Sequence, residues 1–570
     1  MNIKKNIKKM ITTKNVLAII VLIITTVLLN SCSEDILDKQ PLSDISDKNI
    51  FNDDVLMEAY VNGTYKTFRF FQFGAFFTEG STDNAQNTEG QYIRYNRNET
   101  TPDNGGFFTQ EAWSHNYSYI RKVNLFFLKT ENGSNVTPKI FKRLTAEMRF
   151  LRAWSYFNLI SWYGDVPLVT DVIELGSESF DRSRTPYDEV VTFIVNDLDA
   201  AILDLPIEAF NANTGKATRG AAMALKSRVL LYAASSLHNP NNDMSKWQAA
   251  SDAAETAMNL PEYNIDPDYS NIYNETRSNE VMYGRGYTLE NPANFIAWAG
   301  WNFVIDRYYL PAGYGYKVDN RFTVLQSLVD AYETKDGNPL NPQDPWNNRD
   351  PRLDMTIIHH NSIVNVRGTP TTIEFHVDKN DPTNATLAGP AASIQDTGSR
   401  SGYNILKQTD PSKELKTSNP DHFKPWVYFR LAEMYLNYAE AQIELGNDAN
   451  ARTAINVVRS RANVNMPNVT ESGNDLRLRY RNERRVELAL ENHRWYDIIR
   501  WKIGDVVLTQ PAMGVTILRD NTTIPFTDSY TYDKVLDNLR TWNLSMSYLP
   551  IPRSEIEASP SLTQNPGYPK

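Results

Sequence analysis

Residues 431–462 read LAEMYLNYAEAQIELGNDANARTAINVVRSRA. Leu431, Met434, Tyr435, Tyr438, Ala441 and Leu445 recur at three- and four-residue intervals, the spacing that gathers side chains on one face of an α-helix. Gly446-Asn447-Asp448 breaks the stripe, and Ala451, Ala454, Ile455, Val458 and Ala462 begin another. The stretch predicts two helices joined by a short turn, with alanines where they meet. Neither helix could bury its apolar face alone, so the unit demands neighbours of the same kind.

Such neighbours are present upstream. Thr218 is a plausible N-cap for a helix running to Ser236, on which Leu225, Val229 and Tyr232 share a face. The chain then turns near His238-Asn239-Pro240 and resumes at Trp247, Ala250, Ala254 and Ala257. Phe150, Ala153, Trp154 and Phe157 mark a further helix, which Gly164 and Pro167 stop. Helix pairs with small residues at their contact are similar to tetratricopeptide repeats, although no strict 34-residue period runs through the chain; an ordinary helical bundle satisfies the same pattern. Between about 263 and 424 Gly, Pro, Asn and Asp become dense, with 326–334 the clearest helical interruption, and 78–110 is also irregular. The expected fold is mostly α, a helical scaffold supporting a loop-built face, and long loops of this sort tend to carry function.

The first residues carry an address. Lys4, Lys5, Lys8, Lys9 and Lys14 form a basic region with no acid, followed by an apolar run at 16–29 interrupted only by Thr25 and Thr26. That run falls short of the roughly 20 residues a bilayer-spanning helix needs, and fits the apolar part of a secretory signal. It ends in Leu29-Asn30-Ser31-Cys32, which looks like a lipobox, so residues 1–31 are expected to be removed and Cys32 to carry a lipid anchor. An uncleaved anchor helix is the alternative. Cys32 is the only cysteine in 570 residues, which excludes disulfides, CxxC redox motifs and cysteine-built zinc sites. Ser33-Glu34-Asp35 resembles the surface-export signal of Bacteroidetes lipoproteins and implies exposure at the cell surface. Loss of five lysines and no acid leaves a mature chain of net charge −15, a poor match to nucleic acid, whose binding leans on Lys and Arg.

Catalytic motifs are missing. The sequence contains no GxSxG, HExxH, GxGxxG or GxxxxGK[ST], and it assigns no catalytic residue, cofactor or metal ligand. His359 and His360 are adjacent, so on a strand they would face opposite ways and chelate poorly. Sixty-eight acids offer carboxylate pairs without number, and none stands out by context; a surface glycoside hydrolase remains a remote alternative. The run from Glu483 through Arg484, Arg485 and Glu487 to Arg494, Trp495, Arg500 and Trp501 could be an active site or an anion patch. A structural reading is preferred: Glu483 and Glu487 lie one helical turn apart and can pair with neighbouring arginines, while Arg494 and Arg500 can stack on Trp495 or Trp501.

Several blocks of sequence resemble the SusD/RagB family: TAEMRFLRAWSYF (145–157), YGDVPLV (163–169), RDPRL (349–353), RLAEMYLNYAEA (430–441), ERRVEL (483–488), RWYD (494–497), LPIP (549–552) and QNPGY (564–568). They occur in the family's order across nearly the whole mature chain. The resemblance implies a mostly helical SusD-like fold, with four tetratricopeptide-like helix pairs packed against a loop-rich ligand-binding half. It divides the mature chain into an N-terminal helical region at 32–265 and a C-terminal region at 266–570. It further implies a non-enzymatic outer-membrane lipoprotein that captures a glycan, or in some members a peptide, for a SusC-like TonB-dependent transporter.

Specificity would then lie in loops the family does not share. A sugar ring packs its C–H groups on an aromatic face and needs hydrogen bonds for its hydroxyls, so aromatic residues mixed with Asn, Asp and Arg are the expected composition. Two stretches have it. The first, 83–108, offers Asp83, Tyr92 and Tyr95; the second, 294–316, offers Trp298, Trp301, Arg307 and Tyr309. Trp113, at the head of a family-like helix, is expected in the core.

Overall fold

The computed structural model describes residues 47–67, 78–87, 91–104, 112–172, 181–211, 214–273, 278–285, 322–380, 399–412, 425–535 and 540–569. Cys32 and the leader therefore lie outside the described residues. The fold is mostly helical, as the periodicity predicts.

Seven helices pack in succession: α1 (Ala112–Thr130), α2 (Pro138–Tyr163), α3 (Tyr187–Asp204), α4 (Arg219–Ala234), α5 (Met244–Met258), α6 (Leu431–Glu444) and α7 (Asp448–Arg459). Helix α2 is central and buried nearly all round from Leu144 to Tyr163, so amphipathicity alone understates it. Pro138 opens it, where a missing N–H costs nothing, and Gly164 closes it at φ +70° with its N–H on the Ile160 carbonyl. Thr218 caps α4 as expected, accepting from the Ala221 N–H. The α4–α5 turn is held by Asn239, whose amide donates to the Ala234 and Asp243 carbonyls and whose oxygen accepts from the Asp243 N–H. Ala250, Ala254, Ala439, Ala451 and Ala454 are buried, which lets successive helices approach closely.

Chain distance matters less than the packing suggests. Chain segments from both ends close the principal core: Phe150 of α2 meets Tyr283, Trp154 meets Phe429, and Trp162 meets Trp495 at 5.0 Å between ring centres. The C-terminal tail laces onto the end of α2, where the Leu549 N–H donates to Trp162 O at 2.7 Å and Asn565 Nδ2 donates to Tyr163 O and Leu549 O. The LPIP and QNPGY blocks are therefore a clasp, with Gln564 bridging the N–H and carbonyl of Ile551.

The loop-rich stretch forms small sheets around a second core containing Phe322, Val324, Tyr332, Ile357, Tyr403 and Ile517. Strand β1 (Ala85–Asn87) pairs antiparallel with β3 (Phe322–Val324), and β2 (Val281–Arg285) with β4 (Trp426–Arg430). A long hairpin, β5 (Met513–Asp520) and β6 (Thr527–Lys534), joins Val377–Asp378 in parallel. The helix expected at 326–334 is present and shorter, Gln326–Ala331. Helix α8 (Gly473–Glu487) places Val486 in this second core and Leu476 and Tyr480 in a third, with α6 and α7, while α9 (Arg494–Arg500) places Trp495 and Ile499 in the first.

Candidate ligand site and the ion cage behind it

Of the two aromatic stretches singled out in the sequence, 83–108 contains β1, while 294–316 lies outside the described residues; β1 pairs with β3, which follows it in sequence. In the β1–β3 register Ala85 faces Val324, Gln86 faces Thr323 and Asn87 faces Phe322. Because the strands are antiparallel, the chain leaves β1 after Asn87 at the same end where it enters β3 at Phe322. The Thr323 and Ser401 hydroxyls lie 2.6 Å apart beside this ladder, and Tyr403 donates to Gln326 nearby. Gly80 is required by close approach, since a Cβ there would strike the Asn87 side-chain amide. Asn96 fastens the far side, donating to Gly80 O and Gln86 Oε1.

β1 is anchored from beneath. Asp83 accepts both Arg494 Nε and Nη2 at 2.8 Å, and Arg485 donates to the Asn84 side chain at 2.8 Å. Burial alone would raise the Asp83 carboxyl, but the Arg485 and Arg494 guanidiniums more than offset it and hold it far below the usual carboxylate range. Glu79 differs. It accepts from Asn84 Nδ2 and the Asn492 N–H, and burial pushes it up to about 7 because these hydrogen bonds do not compensate for lost solvation.

Behind this ladder lies a cage of charge. Glu487 of α8, fully buried, accepts from Arg430 at 2.7 Å, Arg352 at 2.8 Å and Arg461 at 3.0 Å. Glu483, one turn earlier, takes Arg352 and Arg459. Glu280 bridges Arg430 and Arg461, and Glu491 bridges Arg430 and Lys407. On another face Arg484 reaches Asp497, which also holds Arg500; Arg500 and the Trp501 N–H converge on Glu440. The RDPRL block joins the same cage: Arg352 is gripped by Asp350, while Arg349 caps the carbonyls of Val329, Tyr332 and Pro345.

The structural reading of 483–501 thus holds with two corrections. Glu483 and Glu487 pair with arginines distant in sequence, because those on their own helix point to other faces. Arg500 lies over Trp501 at 4.7 Å as expected, whereas Arg494 is committed to Asp83. His359 and His360 have separate carboxylate partners, Asp354 and Asp528.

The candidate ligand residues divide sharply. Tyr95 is core: it is 1% exposed, its hydroxyl donates to Met546 O at 2.6 Å and its ring packs on Trp495. Asp83 is also buried, its carboxylate taken up by guanidiniums rather than open to a ligand. The side chain of Tyr92, on the short helix Gln91–Arg94, and all of Trp298, Trp301, Arg307 and Tyr309 lie outside the described residues. Trp113 is buried as expected. The β1–β3 pairing carried no sequence signal, since three-residue strands are too short for alternation to register.

A family model described as the SusD family matches residues 269–568, and one described as starch-binding associating with outer membrane matches residues 35–231. A SusD-like protein of Bacteroides ovatus is 22% identical over 492 residues, covering 85% of this chain and 82% of that protein. A solved SusD-like protein from Bacteroides fragilis is 29% identical with a TM-score of 0.76, over 93% of this chain and 100% of the other. A SusD-like carbohydrate binding protein from the same organism is 25% identical with a TM-score of 0.73, over 90% of this chain and 100% of the other.

Proposed function

This chain belongs to the SusD family, and on that premise we propose that it is a lipid-anchored glycan-capture protein of the outer-membrane surface, delivering oligosaccharide to a SusC-like TonB-dependent transporter. The observation that carries the reading is the β1–β3 ladder. It pairs Asn87, which precedes Tyr92 in sequence, with Phe322, which follows the stretch carrying Trp298, Trp301, Arg307 and Tyr309, and this pairing supports a ligand surface drawn from both stretches. Aromatic faces with interspersed Asn, Asp and Arg suit a sugar's C–H surface and hydroxyls. The carbohydrate-binding relative at 25% identity and the starch-binding description of the N-terminal model support the same ligand class. That model's outer-membrane association agrees with a lipid at Cys32.

A binding role also fits the chemistry at hand. Glu487 and Asp83 are spent on guanidiniums and held far below the usual carboxylate range, so neither has a proton to donate near neutral pH. Titrating the leaderless protein with a panel of oligosaccharides is expected to give micromolar-range affinity for one class, weakened at least tenfold by Trp298→Ala or Trp301→Ala. Binding of peptides with no glycan bound would replace the reading with oligopeptide capture. Copurification with a barrel transporter tests the delivery step, and its absence from native membranes would remove that step.

A further inference from the structure

Charges around Asp83 do not balance. Its carboxylate is already taken by Arg494 on both oxygens, with Arg485 at 3.1 Å. A third guanidinium, Arg540, feels the same carboxylate without an ion-pair contact. Arg540 is only 7% exposed, and its Nη2 donates to the Thr82 carbonyl. Its Nε is buried and has no acceptor. Glu79, which also acts on Arg485 and Arg494, is partly protonated near neutral pH.

A buried guanidinium loses strong hydration, and one carbonyl bond with a shared, distant carboxylate returns little of it. Among the described residues the buried Arg352, Arg430 and Arg461 each have two or more carboxylate contacts, and Arg349 spends its guanidinium on the carbonyls of Val329, Tyr332 and Pro345. Arg540 has less than either, a single carbonyl at Thr82, three residues from the start of the β1–β3 ladder. An orphaned N–H on a buried cation, set beside a surplus of guanidiniums, is the arrangement an oxyanion completes. Guanidinium geometry suits carboxylate and sulfate oxygens in particular.

We propose that Arg540, which shares the field of Asp83 with Arg485 and Arg494, forms a subsite for an oxyanion, the carboxylate or sulfate substituent of an acidic saccharide. The source of that anion rests on the glycan-capture reading; free inorganic sulfate shares the chemistry and is the other source. Sodium sulfate, an oligogalacturonate and a neutral oligosaccharide of equal length serve as probes, read by calorimetric titration and by thermal melting of the leaderless chain. The acidic oligosaccharide is expected to bind about tenfold more tightly than the neutral one, a preference of one charge-assisted contact, and Arg540→Met is expected to abolish that ratio. Sulfate is expected to raise the Tm of the wild type more than that of Arg540→Met, the shared part being the surface exclusion by which sulfate stabilises any folded chain. In chloride buffer the variant should melt no lower than wild type, because it removes an unmatched buried charge. Saturable sulfate binding lost in Arg540→Met with no saccharide bound supports the anion subsite and assigns it to inorganic anion, while the glycan reading fails. Equal affinity for acidic and neutral sugars, with no saturable binding of sulfate to the wild type, overturns the subsite and leaves the glycan reading standing. Should the variant not fold, calorimetric titration of the wild type with sulfate decides the matter, saturable binding supporting the subsite and its absence overturning it.

Discussion

Two interiors coexist in this protein. Between α4, α5 and α6 the buried surface is made of alanine, leucine and valine, with Ala224, Leu225, Val229, Ala250 and Ala439 closed to solvent. Around α8 the interior is equally closed but charged: Arg352, Arg430, Arg461, Glu280 and Glu487 are each at most 3% exposed. The apolar stack depends on volume and tolerates exchange of similar shapes. The cage depends on complete pairing, since each ion is out of water and any partner removed strands another. Strand β4 is shared, with Arg430 in the cage and Phe429 in the apolar core, whereas β1 is held by Arg485 and Arg494, so the charged interior is the one that positions the candidate ligand ladder.

Arg430→Met is the sharpest break of that contrast. It deprives Glu280, Glu487 and Glu491 of a common partner, and denaturant unfolding should show a loss of about 4 kcal/mol, or no soluble protein. A loss no greater than that of a core truncation would mean the cage behaves like the stack.

Protonation distinguishes carboxylates within the charged interior itself. Burial raises Glu79 to about 7, so its contribution is complete below pH about 4.5 and is lost as pH rises through 7, by about 3 kcal/mol. Glu440 behaves oppositely. Although burial opposes it, the Arg500 guanidinium lowers it to about 2, so its stabilisation is present above pH about 4.5 and is lost as pH falls toward 2. Melting curves across pH 3–8 should therefore lose a slope on the neutral side in Glu79→Gln and on the acid side in Glu440→Gln. Unchanged profiles would remove both assignments.

In the stack, Leu225→Ala is expected to cost between about 2 and 3 kcal/mol by urea unfolding, with the fold intact, because only methyl groups and a cavity are exchanged. Gly164→Ala is the mildest change, about 1 kcal/mol by the same measurement. A left-handed φ of +70° disfavours a side chain there, and the new Cβ would press on the Tyr548 ring at 3.0 Å.

Much of the first interior was legible in the sequence. Stripes at 225–232 and 431–445, the Thr218 cap, the Gly164 stop and the turn at Asn239 are local, and three- to four-residue periodicity encodes them directly. The candidate site was legible only as composition. Tyr95 and Asp83 have the residue types of a ligand surface, yet one packs against Trp495 and the other is held by Arg494, 411 residues away. Composition cannot tell an aromatic ring that faces a sugar from one that faces a tryptophan.

The sequence by itself determined the helical pairing, the absence of catalytic motifs, the single cysteine and the ordered blocks that mark the family, because each is a pattern within a short window. Only the tertiary structure decided which glutamate meets which arginine, that RDPRL and ERRVEL are two walls of one cage, and that β1 lies against β3. It also singled out Arg540, unremarkable in sequence, as a buried cation left short of a partner. The physical reason is the same throughout: periodicity records which face of an element is buried, while the identity of what it is buried against depends on contacts across hundreds of residues.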